Sequence, residues 1–314
     1  MEPVLAPRAS AILYDLLLGR NDRRPFLLPA NICPIVPITF FKADIPFEFV
    51  DISSANLHID LDQAESRLCT GEYGGLLYVH TYGDPFTPWE YFRSVKERFP
   101  GILLIDDRCL CIPDLEPNPS NAADVTLYST GEAKFVELGF GGFAFLDRGV
   151  NYHHKTLPFD FRELEAIKNS YDHSIETGAP YSYADANWLE TDSDLPLWSE
   201  YAALVRTGSQ ESLAQRKAIN EVYSRFIPPE LCLPQNYQNW RFNVKLNDNQ
   251  KVLEAIFAAG LFASSHYETL VGLMGTGKAS NAKQLADHVI NLFNDHHYTL
   301  DMAEQTARIV LGSL

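Results

Sequence analysis

Lys134 follows a short apolar run, Val125-Thr-Leu-Tyr-Ser129, and precedes a glycine-rich stretch, Gly139-Phe-Gly141-Gly142-Phe-Ala-Phe-Leu146. Upstream, a second apolar run, Ile102-Leu-Leu-Ile105, ends in two acids, Asp106 and Asp107. An acid at the carboxyl end of one strand and a lysine just past the next are the two fixed points that pyridoxal phosphate chemistry needs. The lysine amine condenses with the aldehyde, and the acid keeps the pyridine nitrogen protonated so that the ring accepts electrons. Ser129 could give its hydroxyl to a phosphate while Lys134 reaches the aldehyde carbon. Each residue also has a plain reading. A lysine after a strand is commonly a solvated loop residue, a strand-end acid is often a helix cap, and Ser129–Lys134 could be a polar connection. The glycines tilt the balance toward function, because they let backbone pass close to a bound ring.

Other chemistry-bearing motifs carry less. Gly272-Leu-Met-Gly-Thr-Gly277-Lys278-Ala279 is a near miss for a phosphate loop, but Ala279 stands where a magnesium-binding hydroxyl belongs, and no strong strand precedes it. The pairs His153-His154 and His296-His297 lack metal-ligand spacing and read as surface residues, so no metal is expected. His80 could reach a site from a strand end, but a buried histidine satisfied by backbone is the preferred reading.

The elements that must position these residues alternate. Ala9–Leu18 reads as a helix, Phe26–Leu28 as a strand, Pro34–Lys42 as an amphipathic stretch and Phe47–Val50 as a strand. Leu61–Leu68 reads as a helix, Gly75–His80 as a strand and Trp89–Phe99 as a helix. The strands Ile102–Ile105, Val125–Ser129 and Phe143–Leu146 follow. This pattern predicts an α/β domain with a mostly parallel sheet flanked by helices, and ligands bind beyond the carboxyl ends of such strands. From about 147 to 200 the pattern weakens into an irregular, acidic insertion. A helix over Leu213–Phe226, a strand over Trp240–Leu246, a helix over Asn249–Ala259 and another over Leu285–Phe293 then predict a small α+β domain. The division is a large domain over 1–211, and a linking helix with the small C-terminal domain over 212–314.

The 314 residues, 46% of them hydrophobic, suffice for a large core plus a smaller one. The 25 basic and 41 acidic residues leave a net charge of −16, which repels nucleic acid and anionic membrane. No apolar run approaches the roughly 20 residues of a membrane span. Five cysteines without a C-x-x-C pair, and no basic leader before an apolar segment, read as reduced thiols in a cytoplasmic protein.

Taken together, these residues resemble the DegT/DnrJ/EryC1/StrS sugar aminotransferases. The resemblance runs through Leu28-Pro29-Ala-Asn-Ile-Cys33-Pro34, Pro46–Ile52 with Leu57–Asp60, Val79-His80-Thr-Tyr-Gly83, Leu104–Asp107, and Tyr128–Lys134 with Gly141-Gly142. It implies the pyridoxal phosphate-dependent transferase fold of type I and pyridoxal 5'-phosphate as cofactor. Lys134 would be the Schiff-base lysine and proton carrier, Asp107 the partner of the pyridine nitrogen, and Ser129 a phosphate ligand. Ala9 and Ser10, at the start of the first helix, would offer further phosphate donors, since helix N-termini suit anions. Four residues depart from the pattern: Arg8-Ala9 replaces Gly-Thr, Cys33 stands where many members place an aromatic over the ring, and Leu110 replaces Gln or His. The activity implied is transamination of a keto sugar, nucleotide-linked by the same implication, with an amino acid donor, by a homodimer. The alternatives are another reaction on the same cofactor, such as a lyase or racemase, and a degenerate member that binds a ligand or partner without catalysis. The retained lysine speaks against the dehydratase branch, in which it is replaced.

Overall fold

The computed structural model describes residues 3–314. Its first half is built on strands β1 (Val4–Ala6), β2 (Phe26–Pro29), β3 (Phe47–Val50), β4 (Gly75–Val79), β5 (Leu103–Asp107), β6 (Val125–Ser129) and β7 (Gly142–Leu146). Between them lie helices α1 (Ala9–Leu18), α2 (Ile35–Lys42), α3 (Leu61–Leu68) and α4 (Trp89–Arg98). The strands form one seven-stranded sheet in the order β1-β7-β6-β5-β4-β2-β3. β3, β2, β4, β5 and β6 run parallel, whereas β7 is antiparallel to β6 and β1 is antiparallel to β7.

Successive side chains leave a strand on opposite faces. Phe26, Leu28, Phe49, Leu77, Leu103 and Ile105 pack with Ile12, Leu16, Ile38 and Phe40 of α1 and α2. Leu27, Val50, Leu76, Tyr78 and Leu104 pack on the other face with Ala64, Leu68, Phe92 and Val95 of α3 and α4. Both faces of the sheet are thus covered, as a parallel sheet requires.

Helix α5 (Phe161–Thr177) follows, then the long α6 (Trp198–Phe226). Its first turns pack on β6 and β7 through Tyr201 and Val205, and its last turns enter a second core through Ile219, Val222 and Tyr223. That core contains a three-stranded antiparallel sheet, β8 (Phe242–Lys245), β10 (Val289–Leu292) and β9 (Ala263–Ser264), with α7 (Asn249–Ala258) and α9 (Leu300–Gly312). Helix α8 (Ser280–Ala286) begins against Asp51, whose carboxylate accepts from Asn281 N and Ala282 N at 2.9 and 3.0 Å and so caps it from a distant loop.

Two readings of the sequence are corrected. The stretch 147–200 is not irregular throughout, because α5 runs for 17 residues between an Asp160 cap and a left-handed Gly178. Only Ile167 and Ser174 of α5 are buried, which is why its apolar pattern is weak. Leu285–Phe293 is not a helix: α8 ends at Ala286, and Val289-Ile-Asn-Leu292 is the central strand of the small sheet, buried along its whole length. A short apolar run buried on both faces has no period to separate strand from helix. The expected division at 211 and 212 lies inside α6.

Candidate active site

A cavity of about 270 Å³ opens beyond the carboxyl ends of β4, β5 and β6, with Val79, Asp107, Leu127 and Ser129 on its floor. All five residues singled out in the sequence line it: Lys134, Asp107, Ser129, Ala9 and Ser10.

The strand alternation separates the two acids. Asp106 is fully buried and satisfied on the other side of β5, accepting from His80 Nε2 at 2.7 Å and Asn121 Nδ2 at 2.9 Å. His80 also meets the Asp84 carbonyl through Nδ1 at 2.6 Å. Two acceptors on its two ring nitrogens make both nitrogens donors, so the ring is held as imidazolium beside Asp106. Burial opposes that charge, but Cys111 and Asp106 outweigh it and lift the histidine to about 10. His80 is therefore a buried structural residue, and Asp106 is occupied by it.

Asp107 is free for the cavity. It is 7% exposed, and Cys109 is its one donor residue among the described residues, with its backbone N on Oδ1 at 2.9 Å and its thiol alongside. Burial raises its pKa above the ordinary carboxylate value, while the Cys109 donors and the charges of Lys134 and His80 pull the other way. A buried carboxyl that lines a cavity, with no ion-pair partner among the described residues, is suited to a cationic N–H partner.

Lys134 sits on a loop whose backbone is fixed by the second half of the chain. Trp240 Nε1 donates to the Ala133 carbonyl at 2.7 Å, and Arg216 Nη2 donates to the Lys134 carbonyl at 3.0 Å. Ala133 is held at φ 54°, a left-handed conformation that costs a non-glycine residue energy. The Lys134 side chain is half-buried, and its ammonium has no ion-pair or hydrogen-bond partner among the described residues.

The far end of the cavity holds uncommitted donors, which an anion could use. Helix α1 has no side-chain cap, which leaves first-turn amides at Ala9 and Ser10 without a partner side chain. Ser129 is 8% exposed and lies beside them; its Oγ accepts from Gly131 N at 3.4 Å, but its proton has no acceptor among the described residues. The glycines act differently from the reading above. A Cβ on Gly142 would lie 2.3 Å from Ala9 N, and one on Gly141 would lie 2.6 Å from the Tyr201 hydroxyl. They admit the start of α1 and helix α6 to the sheet, and neither lines the cavity. Gly277 likewise serves close packing: it bridges Phe49 at the edge of β3, so the near-miss loop covers a strand edge.

Several cavity residues were not singled out in the sequence. Phe161, Leu164, Lys168 and Tyr171 recur along one face of α5 and wall the cavity with Trp188, Leu189 and Glu190. Their signal was the helical spacing between the Asp160 and Gly178 caps. Tyr267, from the second half of the chain, also reaches the cavity, and burial pushes its phenol well above the usual value. Nothing in its local sequence marks it. The departing positions Cys33 and Leu110 both line the cavity. The histidine pairs stay outside it: His154 approaches Asp15 at 3.2 Å, and His297 approaches Glu137 at 3.4 Å, with His296 alongside.

The mostly parallel, helix-flanked sheet with a second small sheet is the fold of the type I pyridoxal phosphate-dependent transferases. No family model matches the sequence, and no curated protein matches it. Solved structures do match in shape. A DegT/DnrJ/EryC1/StrS aminotransferase from Brucella abortus superposes with a TM-score of 0.69 at 13% identity, covering 99% of this chain and 86% of that one. DesI, solved in the presence of its TDP-sugar product, gives a TM-score of 0.72 at 16% identity over 99% and 80%. The Escherichia coli GDP-4-keto-6-deoxy-D-mannose-3-dehydratase, with bound hydrated PLP, gives 0.66 at 14% over 98% and 87%. At these identities the likeness establishes the fold, and the fold carries more than one reaction.

Proposed function

We propose that this chain is a pyridoxal phosphate-dependent aminotransferase that moves an amino group from an amino acid to a nucleotide-linked keto sugar. One observation carries the reading: an unpaired lysine, a buried carboxyl without an ion-pair partner among the described residues, and an uncapped helix start beside a buried serine converge on one cavity. The donor set suits the cofactor. Asp107 would hold the pyridine nitrogen, Lys134 the aldehyde carbon, and Ser129 with the Ala9 and Ser10 amides the phosphate. When bound, the cofactor supplies an electron sink for the carbanion formed at the donor's alpha carbon. Lys134 carries the proton to and from that carbon, and its pinned backbone keeps the amine in reach. The α5 wall and Tyr267 keep water from the reacting atoms. The sugar, and its nucleotide if present, suits the open side of the cavity beside Lys168. The solved relatives of this shape that handle nucleotide sugars support the substrate class. A homodimer in the cytoplasm is part of the same reading.

The test is spectroscopic. Protein incubated with pyridoxal phosphate should show a visible absorption band that Lys134→Ala lacks. L-glutamate should bleach the band, and a keto acid should restore it. A wild-type protein without the band would overturn the cofactor, whereas a band indifferent to every amino acid donor would overturn transamination.

A further inference from the structure

The cavity carries three cations, Arg8, Lys134 and Lys168. Lys134 has its work at the aldehyde end, and Lys168 lies 3.7 Å from Glu132 at the exposed rim. Arg8 is different. It immediately precedes α1, and its guanidinium reaches back to the phosphate end. A Cβ placed on Gly131 would have Arg8 Nη1 at 3.6 Å and Ser129 Oγ at 3.7 Å, so guanidinium and hydroxyl flank the same small space. Nε donates to Glu190 Oε2 at 2.9 Å, and Nη1 donates to the Gly139 carbonyl at 2.8 Å. Nη2 has no partner among the described residues. Glu190 belongs to the wall beyond α5, so the fold tethers one edge of the guanidinium and leaves another free. The pair is only partly covered, with Arg8 32% and Glu190 22% exposed, so the tether holds a position without locking it.

We propose that Arg8 is a ligand of the cofactor phosphate, aimed by Glu190 and the Gly139 carbonyl; this rests on the pyridoxal phosphate reading above. Ser129 and the α1 amides are neutral donors that supply only the partial positive charge of a helix start, and a guanidinium beside them adds a full counter-charge for a phosphate dianion. A planar guanidinium presents paired N–H groups that match phosphate oxygens. The position that departs from Gly in the resemblance is thus a gain of a cation at the anion site.

Pyridoxal, which lacks the phosphate, separates this role from a structural one. The cofactor-free protein is titrated with pyridoxal phosphate and with pyridoxal, following protein fluorescence and the visible band. Arg8→Gln should weaken pyridoxal phosphate by about tenfold or more, the scale of one hydrogen bond to a charged group, and leave pyridoxal unchanged. Inorganic phosphate should compete with the cofactor on wild type more strongly than on Arg8→Gln. Unchanged pyridoxal phosphate affinity overturns the assignment. So does an equal loss for both compounds, which would make Arg8 a packing residue. If Arg8→Gln does not fold, as read by circular dichroism, Arg8→Lys carries the same comparison, with a smaller loss confined to pyridoxal phosphate. A wild type that binds neither compound overturns the cofactor reading itself, a result distinct from wild type binding both and Arg8→Gln losing nothing.

Discussion

Asp106 and Asp107 are chemically identical neighbours with opposite surroundings, because a strand turns consecutive side chains to opposite faces. Asp106 ends on His80 and Asn121, whereas Asp107 ends on a cavity. Substitution should therefore separate them. Asp107→Asn removes the charge set against the pyridine nitrogen and should lower the rate more than about a hundredfold, the scale of losing one electrostatic partner of a reacting group. It should not lower the stability of the cofactor-free protein. Burial raises the Asp107 pKa in the folded state, so its ionised form opposes folding above that value and ceases to as pH falls; a neutral amide lacks this cost. Asp106→Asn should do the reverse: it leaves the buried His80 imidazolium without its counter-charge and should cost about 3 kcal/mol, measured by urea unfolding. An active Asp107→Asn protein, or a stable Asp106→Asn one, would show the roles to be misassigned. Which acid faces the cavity was not decided by the pair itself; the sequence resemblance supplied Asp107, and the strand register shows where each carboxylate points.

At the level of elements, the phosphate end depends on how closely α1 approaches β7. β1 pairs with β7 so that Ala6 faces Gly142, and the chain then turns straight into α1 above that glycine. A methyl group at Gly142 would sit 2.3 Å from Ala9 N and 2.5 Å from Ala9 Cα, which are backbone atoms that cannot rotate away. Gly142→Ala should displace the start of α1, cost about 2 kcal/mol or more as overpacking does, and weaken pyridoxal phosphate binding along with stability. A variant that melts like wild type and binds the cofactor normally would mean that α1 is not seated by this contact. The elements of the large sheet were readable because alternating apolar runs and turn residues define them. β1 was not anticipated, since Val4–Ala6 is too short to carry a period and exists only by pairing with a strand far along the chain. α5 was missed for the opposite reason: its caps are present, but its face lines a cavity instead of a core, so its apolar signal is sparse. The cavity residues legible in advance, Lys134, Asp107 and Ser129, sit at strand ends that sequence pattern locates. Tyr267, Trp188 and Glu190 arrive through tertiary contacts that no local spacing encodes.

For the molecule as a whole, the two cores meet at the lysine loop. Arg216, on the α6 helix that spans both, is 2% exposed and donates to the carbonyls of Lys134 and Trp240 and to Asn294 Oδ1. Its guanidinium also lies over the Phe135 ring, 5.0 Å from the centroid. One side chain thus ties the loop after β6 to the segment before β8 and to the turn after β10. The net charge of −16 opposes any anionic ligand at long range, so capture rests on local donors, and these must be held in place by such ties. Arg216→Met fills similar volume without donors and leaves buried carbonyls unpaired at about 1–3 kcal/mol each. Relief from burying the guanidinium charge offsets part of that, so a net loss of about 3 kcal/mol is expected in denaturant unfolding. The same variant should widen or shift the visible band of the cofactor-loaded protein, because the Lys134 backbone has lost a fixed point. The bond from Trp240 Nε1 to the carbonyl of the left-handed Ala133 remains, one residue before the lost one. A variant of wild-type stability with an unaltered band would show that the small domain does not position the lysine, and that the loop's geometry is set by the large sheet alone.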